Sequence, residues 1–430
     1  SANSFTKLYT TDSDANIVSE DSSMVSLIDL QGSLKMIGDE EFEDIADRLV
    51  TTLKTPLSKN CHAIQFVLQY DPEAAKKVLA KNFQILRNSS KNLGMDLEAV
   101  LLDWEDTLAS YCADEQMKIA VWTRPNVISD PELKAARKEL KIKKSPYLIS
   151  NRSQGRNVII QRMRDMHQSA TKSIIESLKN SGYKVQLYSC PDAIAKIRQI
   201  IAPNSTADDW RPKTWDSKRL PVRDQPAGAP EKSLDNFLPP SVSSQVWPSE
   251  AIIIEKKYVA IDGRIYAPII MTLPPEQITP FNNLFQALRM DIPWRCSILL
   301  RGGGLKSQRL KSQLSQALFF TSDLNKQFNH AYEKLYAGKI KGELHDVNFQ
   351  VTFTTWVDVN SCDSPLKLLS QRAARLATAI QSWGSCDTSD LTGDPLLAFT
   401  ATVPACMPPL LLSRMLSICF PFFAPALHGQ

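Results

Sequence analysis

The chain has 430 residues, 43% of them hydrophobic and 22% charged, with 50 Lys and Arg against 46 Asp and Glu. That length gives two or three domains with ample core, and the composition excludes a disordered or fibrous chain. A net charge of +4 is too small to argue for nucleic acid by itself. The eight cysteines lack a C-x-x-C pair, which excludes the common zinc spacings and points to a reducing, cytoplasmic compartment.

Residues 1–23 are polar and read as a disordered N-terminal segment without a signal peptide. The stretch MVSLIDLQGSLKMIG (24–38) reads as a hairpin turning at Gln31-Gly32-Ser33. A helix follows over 39–57, its acids in the first turn where the dipole favours them. Next come a strand at 61–70, a helix opened by Asp71-Pro72, a helix near 95–112 and a strand at 116–123. A short helix (130–142), a long helix (155–182) stopped by Gly182, a strand and a last helix complete a first unit, 24–202.

Prolines at 203, 212, 221, 226, 230, 239, 240 and 248 break any helix or central strand across 203–250. Trp210, Trp215, Phe237 and Trp247 predict that this linker lies pinned on the surface. The second unit, 251–404, opens with a hairpin turning at Asp262-Gly263. A helix (275–290), a strand (293–300), a long helix (305–337), a strand (346–359), a helix (364–384) and a strand (395–404) follow. The expectation is an α/β (α+β) fold of two subdomains with the same element order. Each is a small mixed sheet with packed helices. The apolar end, 405–430, is interrupted by Arg414 and several prolines, so it is no spanning helix. It reads as a junction that packs on a further domain.

Charge is concentrated at 133–164. Lys134, Arg137, Lys138, Lys141, Lys143, Lys144, Arg152, Arg156, Arg162 and Arg164 stand there with Glu139 as the sole acid. Such a surface suits an anionic partner: an acidic protein face, lipid headgroups or nucleic acid phosphates. With Tyr147 as the one aromatic among them, base stacking is not indicated. The bland alternative is a solvated helix pair.

WRCSILLRGGGLKS (294–307) has the strand, glycine turn and Lys-Ser pair of a phosphate loop. The G-x-x-x-x-G-K-[ST] spacing requires glycine at 300 and 305, and both are leucine. A Cβ-bearing residue beside the lysine obstructs the amide cradle. A nucleotide-binding protein or enzyme using Gly302–Ser307 therefore remains the alternative, and a strand–turn–helix joint is the main reading. His62, His167, His330 and His345 fall in separate elements, and Asp103, Glu105 and Asp106 read as a polar helix face. No catalytic, cofactor-binding or metal-ligating set emerges.

Four segments carry a resemblance: SLIDLQGSLKMIG, GRNVIIQRMRDMHQSATKSIIESLKNSGYKVQLYS, IPWRCSILLRGGGLKSQRLKSQLSQALFF and WGSCDTSDLTGDPLLAFTATVPAC. Together they resemble the N-terminal region of the large ATPases of type IV secretion, including the Dot/Icm type, and of conjugation. The family often has Pro-Gly where this chain has Pro404-Ala405. The resemblance implies a docking and assembly region without catalytic residues, followed by a RecA-like motor that holds the ATP and magnesium. It also implies inner-membrane secretion-complex proteins, like subunits in hexamers or dimers, and a second secretion ATPase as partners. The place implied is the cytoplasmic side of the bacterial inner membrane.

Overall fold

The computed structural model describes residues 3–33, 39–57, 61–142, 151–214, 240–273, 281–302, 347–390, 393–407 and 415–416. Its strands are β1 (Leu8–Asp12), β2 (Asn16–Ser19), β3 (Met24–Ser33), β4 (His62–Asp71), β5 (Asp114–Thr123), β6 (Tyr183–Leu187) and β7 (Ile252–Ile254). The rest are β8 (Tyr258–Ile261), β9 (Arg264–Leu273), β10 (Trp294–Gly302), β11 (Val347–Asp358), β12 (Asp387–Ser389) and β13 (Met415–Leu416). The helices are α1 (Asn3–Thr6), α2 (Asp39–Leu57), α3 (Ala75–Asn92), α4 (Glu98–Ala109), α5 (Asp130–Ile142) and α6 (Asn151–Asn180). After them come α7 (Cys190–Ile201), α8 (Val242–Val246), α9 (Phe281–Leu288), α10 (Pro365–Gln381) and α11 (Pro395–Ala401).

The α+β class is the one expected, but the two halves do not carry separate mixed sheets. They share one sheet, ordered β1-β2-β3-β5-β4-β10-β11-β9-β8-β7, and the pairings between its described strands are antiparallel. The join is β4 against β10, in register from Ala63↔Arg301 to Tyr70↔Trp294. Outward from that join the order is the same in both directions. β5, β3, β2 and β1 follow β4, and β11, β9, β8 and β7 follow β10. β6 adds to the outer edge of β3 beyond β2, and β12 adds to the outer edge of β9 beyond β8. An antiparallel central pair of this kind has a local two-fold axis normal to the sheet. Related helices therefore fall on the same face.

One face carries the larger core. The i, i+4 series Ile45, Leu49, Leu53, Leu57 of α2 and the pair Leu284, Leu288 of α9 press on it. So do Ile174 and Leu178 of α6 and Leu376 and Ile380 of α10. The opposite face is covered by α7, α8 and α11 over Trp122, Tyr266 and Trp356. Those tryptophans are counterparts: Trp122 lies opposite Val25, through which β3 meets β2, and Trp356 opposite Tyr266, through which β9 meets β8.

Three local expectations are corrected. Most of residues 1–23 are structured, because Leu8, Ile17 and Val18 are buried and the Asp12 carboxylate holds Arg164. Gln31-Gly32-Ser33 is no turn: β3 runs through it, and the hairpin partner is β2 upstream. Residues 395–404 do not form a strand. Asp394 accepts hydrogen bonds from the Leu396 and Leu397 N–H groups at 3.0 and 3.2 Å, Pro395 opens α11, and the helix is apolar all round because it is buried. In the linker, Trp247 is buried and Trp210 stacks under Arg198 at 4.5 Å, while Trp215 and Phe237 lie outside the described residues.

Candidate docking arms and a buried polar core

Two helical hairpins present the surfaces best suited to recognition. The first is α5 with α6, which carries the basic cluster. A small core of Met24, Ile128 and Met163, flanked by Leu133, Ile159 and Ile160, packs this pair at one end of the sheet. At 1.5 Å per residue α6 is about 45 Å long. Its apolar contacts with the main core come from its C-terminal part, at Ile174 and Leu178.

Of the predicted residues, Lys134, Lys138 and Arg162 are exposed on this arm. Arg162 lies near Glu132, whose carboxyl is lowered chiefly by the Ser129 backbone N–H and hydroxyl and also by that arginine. Arg164 is held internally instead. Its Nε and Nη2 donate to the two Asp12 oxygens at 2.9 and 2.7 Å, tying α6 to β1. Arg137 and Lys141 belong to α5, and Arg152 and Arg156 to the first turns of α6. Lys143 and Lys144 lie outside the described residues.

The second arm, α3 with α4, is inserted between β4 and β5; both helices were expected there, and the exposed apolar face of the arm was not. Its inner surface is charged. Arg87 reaches Glu105 at 2.6 Å and Glu98 at 3.0 Å, with the Glu105 side chain almost wholly buried beside Leu101. Its outer surface is apolar. Ten of the seventeen exposed large apolar side chains among the described residues fall between Ile85 and Tyr111. That concentration separates this surface from the scattered apolar exposure of an ordinary one. Leu97, Val100, Trp104, Leu108 and Tyr111 follow helical spacing along α4 and its end, with Trp104 52% and Tyr111 85% exposed. The signal was legible as spacing, but the neighbouring acids drew the reading to a polar face.

A buried polar system lies under α6. His167 Nε2 meets Ser26 Oγ at 2.9 Å, its Nδ1 meets Thr123 Oγ1 at 2.8 Å, and Thr123 meets His62 Nδ1 at 3.1 Å. Ser26 also donates toward Ala15 O and Asn16 Oδ1 at 2.9 and 3.0 Å. In a neutral imidazole one ring nitrogen donates and the other accepts, so the tautomer sets the direction in which these bonds run. Burial pushes His167 down to about 3 and lowers His62 as well. His167 is completely buried, so this chain of bonds positions α6 and offers no surface for substrate. His330 and His345 lie outside the described residues.

On the other face, Gln65 clamps the segment after α11. Its Nε2 donates to Ser297 Oγ, Ala401 O and Val403 O at 3.0, 3.2 and 3.0 Å, and its Oε1 accepts from Ala405 N–H at 3.0 Å. Ala405 sits at φ 61° within this clamp. Two buried cations lie nearby on the same face. Burial lowers Arg295 to about 10 and Lys118 to about 8, the latter opposed by Asp29 across the strand pair. Of the glycine segment, Gly302 closes β10 opposite Val347, and Gly303–Ser307 lie outside the described residues. Among the described residues no group of His, Cys, Asp or Glu is placed to hold a metal, and no helix is long and apolar enough to cross a membrane.

No family model and no curated protein matches this sequence.

Proposed function

We propose that this chain is the non-catalytic docking and assembly region of an ATPase of a type IV secretion or conjugation machine, of the Dot/Icm or plasmid-transfer kind. The observation that carries the reading is the pair of helical arms. One is basic through Lys134, Lys138 and Arg162, and the other carries the apolar series from Leu97 to Tyr111. Ser26, His62, Gln65, Thr123, His167 and Ser297 are committed to internal bonds. The sequence resemblance supplies the machine.

In this reading the basic arm meets acidic faces of inner-membrane secretion proteins or the cytoplasmic lipid surface, with like subunits and a second secretion ATPase as further partners. ATP and magnesium bind in a separate motor domain. Fractionation of bacteria with and without the machine tests it. The chain should sediment with inner membranes more completely when the machine is present. The Lys134→Glu, Lys138→Glu, Arg162→Glu triple variant should shift mostly to the soluble fraction. A distribution indifferent to both the machine and the charge reversal overturns the reading.

A further inference from the structure

Two cations are folded into the sheet face under α7 and α11 without a carboxylate of their own. Lys118 faces Val67 and Arg295 faces Gln69 from opposite sides of β4, so both side chains project from the same face. The two residues are 4% and 2% exposed, and among the described residues neither forms an ion pair. Lys118 Nζ donates to Gln116 Oε1 at 2.6 Å, and Arg295 Nη1 reaches Gln69 Oε1 at 3.4 Å. Gln69 and Gln116 face each other across the β4–β5 pair and are half-buried. Ammonium and guanidinium thus converge from two sides on one pair of amide oxygens at the edge of the core. A neutral oxygen is a weak partner for a desolvated cation.

The acids nearby have other partners. Asp29, opposite Lys118, accepts from Gln31 Nε2 at 3.1 Å, Asp114 from Gln116 Nε2 at 2.7 Å, and Asp358 from Arg264 at 2.7 Å. Lys196 of α7 adds positive charge beside Lys118, and Arg264 adds it beside Arg295. The Tyr266 hydroxyl is buried near the same guanidinium with no acceptor for its proton. We infer that Lys118 and Arg295 form a binding site for an oxyanion, the phosphate or carboxylate group of a small ligand. Gln69, held by one long bond, turns aside, and the anion takes the place of its carbonyl oxygen between the two cations. Lys196 stands at the entrance. The anion offsets the desolvation of two cations that the fold otherwise carries at a cost to stability. The site lies on the sheet, apart from both helical arms, and does not depend on the docking reading.

Equilibrium dialysis and thermal unfolding of the chain test it, in phosphate and in succinate against chloride at matched ionic strength. The wild type should bind phosphate or succinate saturably, and its Tm should rise with that anion and not with chloride. The anion that saturates at the lower concentration identifies the group as phosphate or carboxylate. Arg295→Met and Lys118→Met should each weaken binding at least about tenfold, with an unchanged circular dichroism spectrum in chloride. Lys196→Ala should weaken it about threefold. Gln69→Glu alters a half-buried side chain and supplies a carboxylate in place. Its Tm in chloride should exceed that of the wild type, and it should no longer respond to the anion. A wild type that binds neither anion, or a Gln69→Glu chain that binds the anion as the wild type does, overturns the inference. Undiminished binding by the folded Arg295→Met or Lys118→Met chain overturns it as well.

Discussion

The two halves of the sheet place different chemistry at the same point. In the first half Ser26, Thr123 and His167 bond to one another beside Met24. Ser26 lies opposite Val121 and Met24 opposite Thr123; in the second half Ala267 lies opposite Thr355 and Ile265 opposite Val357. Leu369 precedes Leu376 and Ile380 by the same intervals at which His167 precedes Ile174 and Leu178, and it packs with Ile265, Ala267 and Val357. An imidazole between two hydroxyls in one half is thus a leucine between alanine and valine in the other. The architecture asks for volume and burial at this junction, and both solutions supply them. The helix faces differ too. Where α6 has Thr171, Lys172 and Ile175, α10 has Ala373, Ala374 and Ala377, which line a cavity of about 290 Å³ over Ala267–Ile269 with the Lys257–Asp390 ion pair at its rim.

If the halves are counterparts in one cooperative unit, Trp122→Ala and Trp356→Ala should each cost about 3–5 kcal/mol in urea unfolding. Each variant should show a single transition, because β4 and β10 share hydrogen bonds. Two separated transitions would break the comparison. Gln65→Leu should cost about 3 kcal/mol, since it leaves the Ala401 and Val403 carbonyls and the Ala405 N–H without their partner.

Exchanging the junction sharpens the comparison further. His167→Ala should cost about 2–3 kcal/mol at pH 7. The Ser26→Ala, Thr123→Val, His167→Leu triple variant, which copies the second half, should stay within about 1 kcal/mol of wild type. Their pH dependence carries a sign. His167 is held near 3 in the folded chain against 6.5 in the unfolded one. Its contribution is therefore whole above pH 6.5 and is lost as pH falls toward 3, by up to about 1.4 kcal/mol per pH unit. Asp71, raised to about 6 by burial, slopes the opposite way, its contribution being fullest below 3.8 and lost as pH rises through 6. The difference between wild type and triple variant cancels Asp71. Denaturation midpoints should give a difference flat above pH 6.5 and falling below it.

Arg295 takes in β10 the position that Gln65 takes in β4, because Thr355 faces Trp294 as Val121 faces Ile64. Gln65 is well bonded, whereas the guanidinium makes contacts of 3.3–3.4 Å to Thr402 and Gln69. Arg295→Met should therefore raise stability by about 1 kcal/mol, read as a higher urea midpoint. Lys134→Glu with Lys138→Glu should move stability by less than about 0.5 kcal/mol, because both side chains are exposed.

The elements from β4 to α7 and, among the described residues, from β8 to α10 were legible because caps and periodicities are local: Asp262-Gly263 turns, Gly182 follows the end of α6, and α2 repeats its apolar residues every four positions. The union of the two sheets was not. Gln65 and Ser297 are 232 residues apart, and nothing local records that their strands pair. A buried apolar run does not declare its period, so α11 read as a strand. The same limit governs the sites. The basic run was visible as composition, yet Arg164 is spent on Asp12, and His62 and His167 meet only through Thr123 on a third element.

Photo-crosslinking in bacteria that carry the secretion machine tests the docking account most directly. A benzophenone side chain replaces Trp104 in one strain and Lys138 in another. The account predicts that position 104 captures a like subunit or the second secretion ATPase and position 138 an inner-membrane component of the machine. Adducts at neither position, in cells where the machine is assembled and active, would contradict it.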